Sequence, residues 1–132
     1  MSSTSAQSEY QPGVCNIGGP EVTRRKQVAI LGFALFIIFG TLAFVQGLSL
    51  EIAIFGFFPA LLGSVGYIQS QKKFCFAYGL MGAFNFNSLG TISKVRDKEA
   101  LAADRKMAIT IVLQSIVLAL ALTGLLLSLL SL

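Results

Sequence analysis

VAILGFALFIIFGTLAFV runs from Val28 to Val45 without a charge, and Thr41 is its only polar side chain. A helix needs about 20 such residues to cross a hydrocarbon core, with a range of roughly 17–25. The stretch therefore reads as a membrane span. Immediately before it stand Arg24, Arg25 and Lys26, a basic triplet of the kind that stays on the cytoplasmic side of a span. Working outward, two more apolar runs follow. One extends from Ile52 to Ile68 and the other from Met107 to Leu132. The expected spans are about 28–46, 50–70 and 107–131. The link Gln46-Gly47-Leu48-Ser49-Leu50-Glu51 is so short that the first two spans must form an antiparallel helical hairpin.

The composition agrees. Of the 132 residues, 55% are hydrophobic and 12% are charged. A soluble domain carries about 25% charged residues. The mean hydropathy is +0.76. A soluble enzyme of this size could not hide that much apolar surface. The chain has no His, which removes the commonest general base and the commonest metal ligand.

Ten basic residues oppose six acidic ones. All ten lie before residue 27 or between 72 and 106, next to the apolar runs. A nucleic-acid binder is also basic, but this distribution belongs to membrane-flanking segments. The loop 71–106 holds seven of the ten, including Lys72 and Lys73. It is expected in the cytoplasm, together with the N-terminus. The turn at 46–51 and the C-terminus then lie outside, in a cell (inner) membrane protein that crosses three times.

Phe74 to Ile92 is rich in Phe and Gly and by apolar content alone would count as a fourth crossing. That crossing would split the basic residues between two sides and bury Asn85, Asn87 and Ser88 in lipid. An interfacial or re-entrant segment at the cytoplasmic face fits better. The expected fold is an all-α integral membrane protein with three transmembrane helices and this aromatic-rich segment. Residues 1–14 read as a disordered tail and 15–132 as a single membrane domain. No apolar core precedes Val28, so the first span is expected to act as its own uncleaved signal anchor.

Local signals set the helix ends. Gly19 suits an N-cap, Pro20 the first helical position and Glu21 the positive helix end. A second start is expected near Ser93 or Asp97, feeding into the third span. Pro59 should kink the second span.

Several constellations are candidates for function, each beside a plainer reading. Gly56, Ala60 and Ser64 recur every four residues, as do Ser115, Ala119 and Thr123. Such faces let helix backbones approach closely, within the bundle or toward a partner. Gln46, Glu51 and Gln114 are the polar residues that a transport path would use. Glu51 also simply complements its helix dipole, and Gln114 suits a hydrogen bond to a neighbouring helix. Cys15 and Cys75 both fall on the expected cytoplasmic side, where a structural disulfide is not expected. They read as inert thiols, with a redox or modification site as the sharper alternative. Arg24, Arg25, Lys26, Lys72 and Lys73 would meet lipid headgroups. No phosphate loop, nucleophile–base pair or metal-ligand spacing is present, so no cofactor, no metal and no nucleic acid is expected.

Two stretches resemble a family of small, mostly uncharacterised bacterial multi-pass membrane proteins. One is Cys15-Asn16-Ile17-Gly18 with Pro20-Glu21 and the basic triplet. The other is Phe74-Cys75 with Ala77-Tyr78-Gly79-Leu80, Gly82 and Asn85-Phe86. The resemblance implies no activity. It does imply that both Cys-containing motifs belong to one element at the cytoplasmic face, with Asn16 and Asn85 in a packed polar cap. The functional expectation is a non-enzymatic accessory or structural subunit, in contact with the lipid bilayer and with other membrane subunits or itself. The alternative is a small transport or channel component.

Overall fold

The structure is a computed structural model that describes residues 10–89 and 91–132. The part of the expected tail at 1–9 lies outside the described residues, as does Gly90. The chain is built on α1 (Gly19–Gln46), α2 (Leu50–Ala53), a 3-10 turn (Ile54–Gly56), α3 (Phe57–Lys72), α4 (Phe76–Met81), β1 (Ala83–Phe84), β2 (Ser93–Lys94) and α5 (Lys98–Leu130). Three helices are long and apolar enough to cross a membrane: Gly19–Gln46, the α2–α3 unit Leu50–Lys72, and Lys98–Leu130.

Each long helix is set by its ends. α1 starts one residue earlier than expected, with Gly18 as N-cap and Pro20 in the first turn. It stops at Gly47, which takes the left-handed conformation that a residue without Cβ adopts at least cost. α5 is capped by Asp97, whose carboxylate accepts from the Ala100 N–H at 3.2 Å. The second span departs from a regular helix just before Pro59, through the 3-10 turn. Pro59 has no N–H for the Phe55 carbonyl, so the ladder is interrupted there.

The helices pack through small residues. On α1, Ala29 and Gly32 meet Gly63 and Gly66 of α3. A Cβ on Gly32 would stand 2.2 Å from the Gly63 nitrogen, and one on Gly66 would stand 2.6 Å from the Ala29 nitrogen. On the other side of α3, α5 buries Ala108, Ile111, Ser115, Ala119 and Thr123. α1 and α5 themselves barely touch. Leu126 reaches across to Gly40, where an added Cβ would lie 3.1 Å from its methyl group. The three long helices thus form an open row with α3 in the middle.

Among its described residues, the segment 74–92 contains the six-residue α4 and the first strand of a two-stranded antiparallel hairpin, with Ala83 opposite Lys94 and Phe84 opposite Ser93. It folds against the start of α5. Its Gly79 sits where a Cβ would be 2.9 Å from the Asp104 carbonyl oxygen.

Candidate functional site

The polar residues converge at one end of the helix row, where the start of α1, the end of α3, α4, the hairpin and the start of α5 meet. Asn16 holds the first two together. Its backbone N–H donates to the Lys73 carbonyl at 3.1 Å. Its side chain brackets Cys75, accepting from the Cys75 N–H at 2.7 Å and donating to the Cys75 carbonyl at 3.2 Å. Lys73 is left-handed, with φ 53°, a conformation that costs a residue with a Cβ roughly 1–2 kcal/mol. The strain turns its carbonyl toward Asn16 and Ile17.

Glu21 lies at the centre and is 4% exposed. Its Oε1 accepts from Arg25 Nη1 at 3.1 Å. Its Oε2 accepts from the Tyr78 hydroxyl at 2.5 Å and from Asn85 Nδ2 at 3.1 Å. The Arg25 guanidinium also donates to Cys75 Sγ at 3.2 Å. Burial, and next the hydrogen bond to the Glu21 carboxylate, push the Tyr78 hydroxyl up to about 12. Asn85 extends the network to the start of α1, donating its N–H to the Asn16 carbonyl and accepting from the Gly18 N–H, both at 2.8 Å.

Asp104, nearly two turns from the start of α5 and fully buried, anchors the residues before Cys15. It accepts from the Tyr10 hydroxyl and, at 2.7 Å, from the Gly13 N–H. The Tyr10 ring stacks on Phe84 with 4.7 Å between centroids. Burial and then the Asp104 hydrogen bond raise the Tyr10 hydroxyl above its usual range. Residues 10–14, expected within a disordered tail, are seated against α5 instead, because a buried carboxylate needs donors and this segment supplies two.

The residues singled out from sequence are distributed as follows. Gly56, Ala60 and Ser64 are buried, as are Ser115, Ala119 and Thr123. Their hydroxyls bond within their own helices: Ser64 to the Ala60 carbonyl, Ser115 to Ile111 and Thr123 to Ala119. They act in the packing as small residues. Gln46 and Glu51 are exposed beside the α1–α2 turn at the far end. Gln114 is exposed on α5, about 24 Å of helix rise from Leu130. These three do not come together. Cys75 is buried in the polar network, and Cys15 donates to the Ile17 carbonyl at 3.7 Å in the adjoining segment. Arg24, Lys26 and Lys73 are exposed at the same end and Lys72 is half-buried, while Arg25 turns inward to Glu21.

Sequence reasoning missed Glu21 and Asp104 as organising residues. A signal for Asp104 was present. Counting back from Ser115 by helical steps gives Ile111, Ala108, Asp104 and Ala100, one continuous buried stripe. For Glu21 the sequence offers only the i,i+4 pairing with Arg25, because its other partners come from α4 and the segment after it.

Among the described residues no group of three or more His, Cys, Asp or Glu converges to hold a metal. No buried side-chain nitrogen or oxygen among them lacks a hydrogen-bond partner. The network is closed on itself. What it does is join five segments through buried hydrogen bonds, and removing one partner leaves a buried polar group unpaired, which costs more than the bond's net contribution. No protein-family model matches this chain, and no curated protein and no solved structure matches it.

Proposed function

We propose that the chain is a non-enzymatic integral membrane protein of the cell (inner) membrane, serving as an accessory or structural subunit. Its N-terminus and polar cap lie in the cytoplasm, and its C-terminus lies outside. It assembles with other membrane subunits or with copies of itself. One observation carries this reading: the helix row is open. Between α1 and α5 runs an apolar cleft, lined by Phe36, Ile37, Gly40 and Phe44 on one wall and Leu126 and Leu129 on the other. A second cleft continues it past Phe33, Leu118 and Leu122, with Tyr67 of α3 at its floor. Among the described residues, all the buried polar groups are paired within the chain. The unfilled surface is therefore helix-sized, apolar and on the spans, which is where a membrane subunit meets a neighbour.

The orientation rests on the cap. Arg24, Lys26, Lys72 and Lys73 all fall at the end that also holds the basic loop, and positive charge stays inside.

Gentle detergent extraction of the tagged chain, followed by native-size analysis and mass spectrometry, tests the role. The expected result is a species well above the 14.1 kDa of one chain, containing a stoichiometric partner or several copies. A bare monomer sinks the subunit reading. Labelling Cys15 with a membrane-impermeant maleimide tests the orientation. Sealed cells should leave it unmodified until the membrane is opened, and labelling from outside would reverse the topology.

A further inference from the structure

α5 buries one stripe against α3 and α4, the positions 104, 108, 111, 115 and 119. Along the flank of that stripe runs a second series, Gln114, Leu118, Ala121, Leu125 and Ser128, spaced alternately by four and three residues. That is the seven-residue repeat of a helix seam, which two supercoiled helices bury between them. Here Leu118 is half-buried and the other four are exposed. Leu118 borders the cleft toward α1, and none of the described residues covers the other four.

Gln114 is the odd member. It lies two turns beyond Lys106, the last charge before the apolar run, at about 12 Å of helix rise. Its amide makes no hydrogen bond to any described residue, whereas Ser115 and Thr123, the buried hydroxyls on the same helix, both do. An amide facing hydrocarbon without a partner is costly. It carries both a donor and an acceptor, so another such amide satisfies it.

The geometry points to a second copy of this chain as the occupant, its α5 lying parallel along the first through this seam. The inference rests on the membrane-subunit reading above and names the partner. All copies inserted in one membrane share a topology. A two-fold axis along the membrane normal then places Gln114 opposite Gln114 at the same depth, and each amide donates to the other. Ala121, one heptad further on, leaves room for the two backbones to approach. A single polar residue at a seam position is also the device that sets register and copy number in paired helices.

Sedimentation equilibrium of the full chain in density-matched detergent reads the association directly. The wild type should form a reversible dimer. Gln114→Leu should weaken association about tenfold, the scale of reciprocal polar contacts between membrane helices. Gln114→Asn should retain most of it, and Gln46→Leu at the far end should change nothing. Gln114 faces outward, so the variants keep the monomer fold, checked by unchanged helical circular dichroism. A dimer equally strong in Gln114→Leu overturns the inference while leaving the subunit reading intact. So does a native extract holding one copy with a larger partner. A monomer with no partner in either preparation overturns both.

Discussion

Tyr78 and Asp104 show how single side chains close the cap. The Tyr78 hydroxyl gives its proton to a bond with Glu21, and its ionisation is pushed from 10 to about 12 by burial and that bond. The folded state thus holds the proton more tightly than the unfolded chain. That contribution is complete below pH 10 and is lost as pH rises toward 12. Titration followed by tyrosinate absorbance should show a late Tyr78 step that disappears in Tyr78→Phe while the raised Tyr10 step remains, and thermal stability should fall over the same interval in the wild type. A Tyr78 step at the ordinary pH of a free phenol would contradict the Glu21 bond. At Asp104, the charge draws in Tyr10 and the Gly13 N–H. Asp104→Asn weakens two charge-assisted bonds, for a cost of about 1–3 kcal/mol. Limited proteolysis should then cut within residues 10–15, which the wild type protects. Equal protection in both proteins would mean that the carboxylate is not the anchor.

At the scale of elements, the contact between α1 and α3 is made backbone to backbone. The Cβ absent from Gly32 would meet main-chain atoms of Gly63 and Leu62, which cannot rotate away. Gly32→Ala must push the helices apart and should cost at least about 1–3 kcal/mol, the usual scale of overpacking. Gly124 on α5 is the matched control, because a Cβ there would meet nothing within 4 Å. Gly124→Ala should leave the melting temperature in detergent unchanged or slightly raised, since alanine is the better helix former. Equal loss in both variants would show that the helix backbone, and not the crossing, is what glycine serves.

For the molecule as a whole, the cap and the helix row divide the work. The cap ties together segments from residues 10–25, 69–85 and 97–104 through buried polar bonds, while the row is held by close apolar contact. The cap should therefore open as one unit. In amide hydrogen exchange, the N–H groups of Asn16, Gly18, Cys75 and Asn85 should share one protection level. Glu21→Gln should lower all four together, by about the 1–3 kcal/mol lost with a buried charged acceptor. Independent changes at the four sites would mean that the cap is a set of separate contacts. The open row leaves α1 with most of its surface uncovered, Ile30 being 71% exposed, and that asymmetry is what invites a neighbour.

Sequence alone determined the number and approximate bounds of the long apolar helices. Their length, the absence of charge within them and the basic residues at their flanks are local properties, and each is tied to the fixed rise of a helix. Asp97 and Pro59 acted on their own neighbours and were legible for the same reason. The small-residue faces were legible as faces. Which helix each would meet was not, because periodicity names a side and gives no partner. Only the tertiary structure decided that α3 lies between α1 and α5, that Gly32 meets Gly63, and that Gln114 is left without a bond. The cap was the least legible part. Glu21 reads from sequence as a dipole partner at a helix start, and Asp104 as one more charge in a basic loop. Their roles depend on donors 57 to 94 residues away in the chain, and a buried carboxylate is defined by what surrounds it in space.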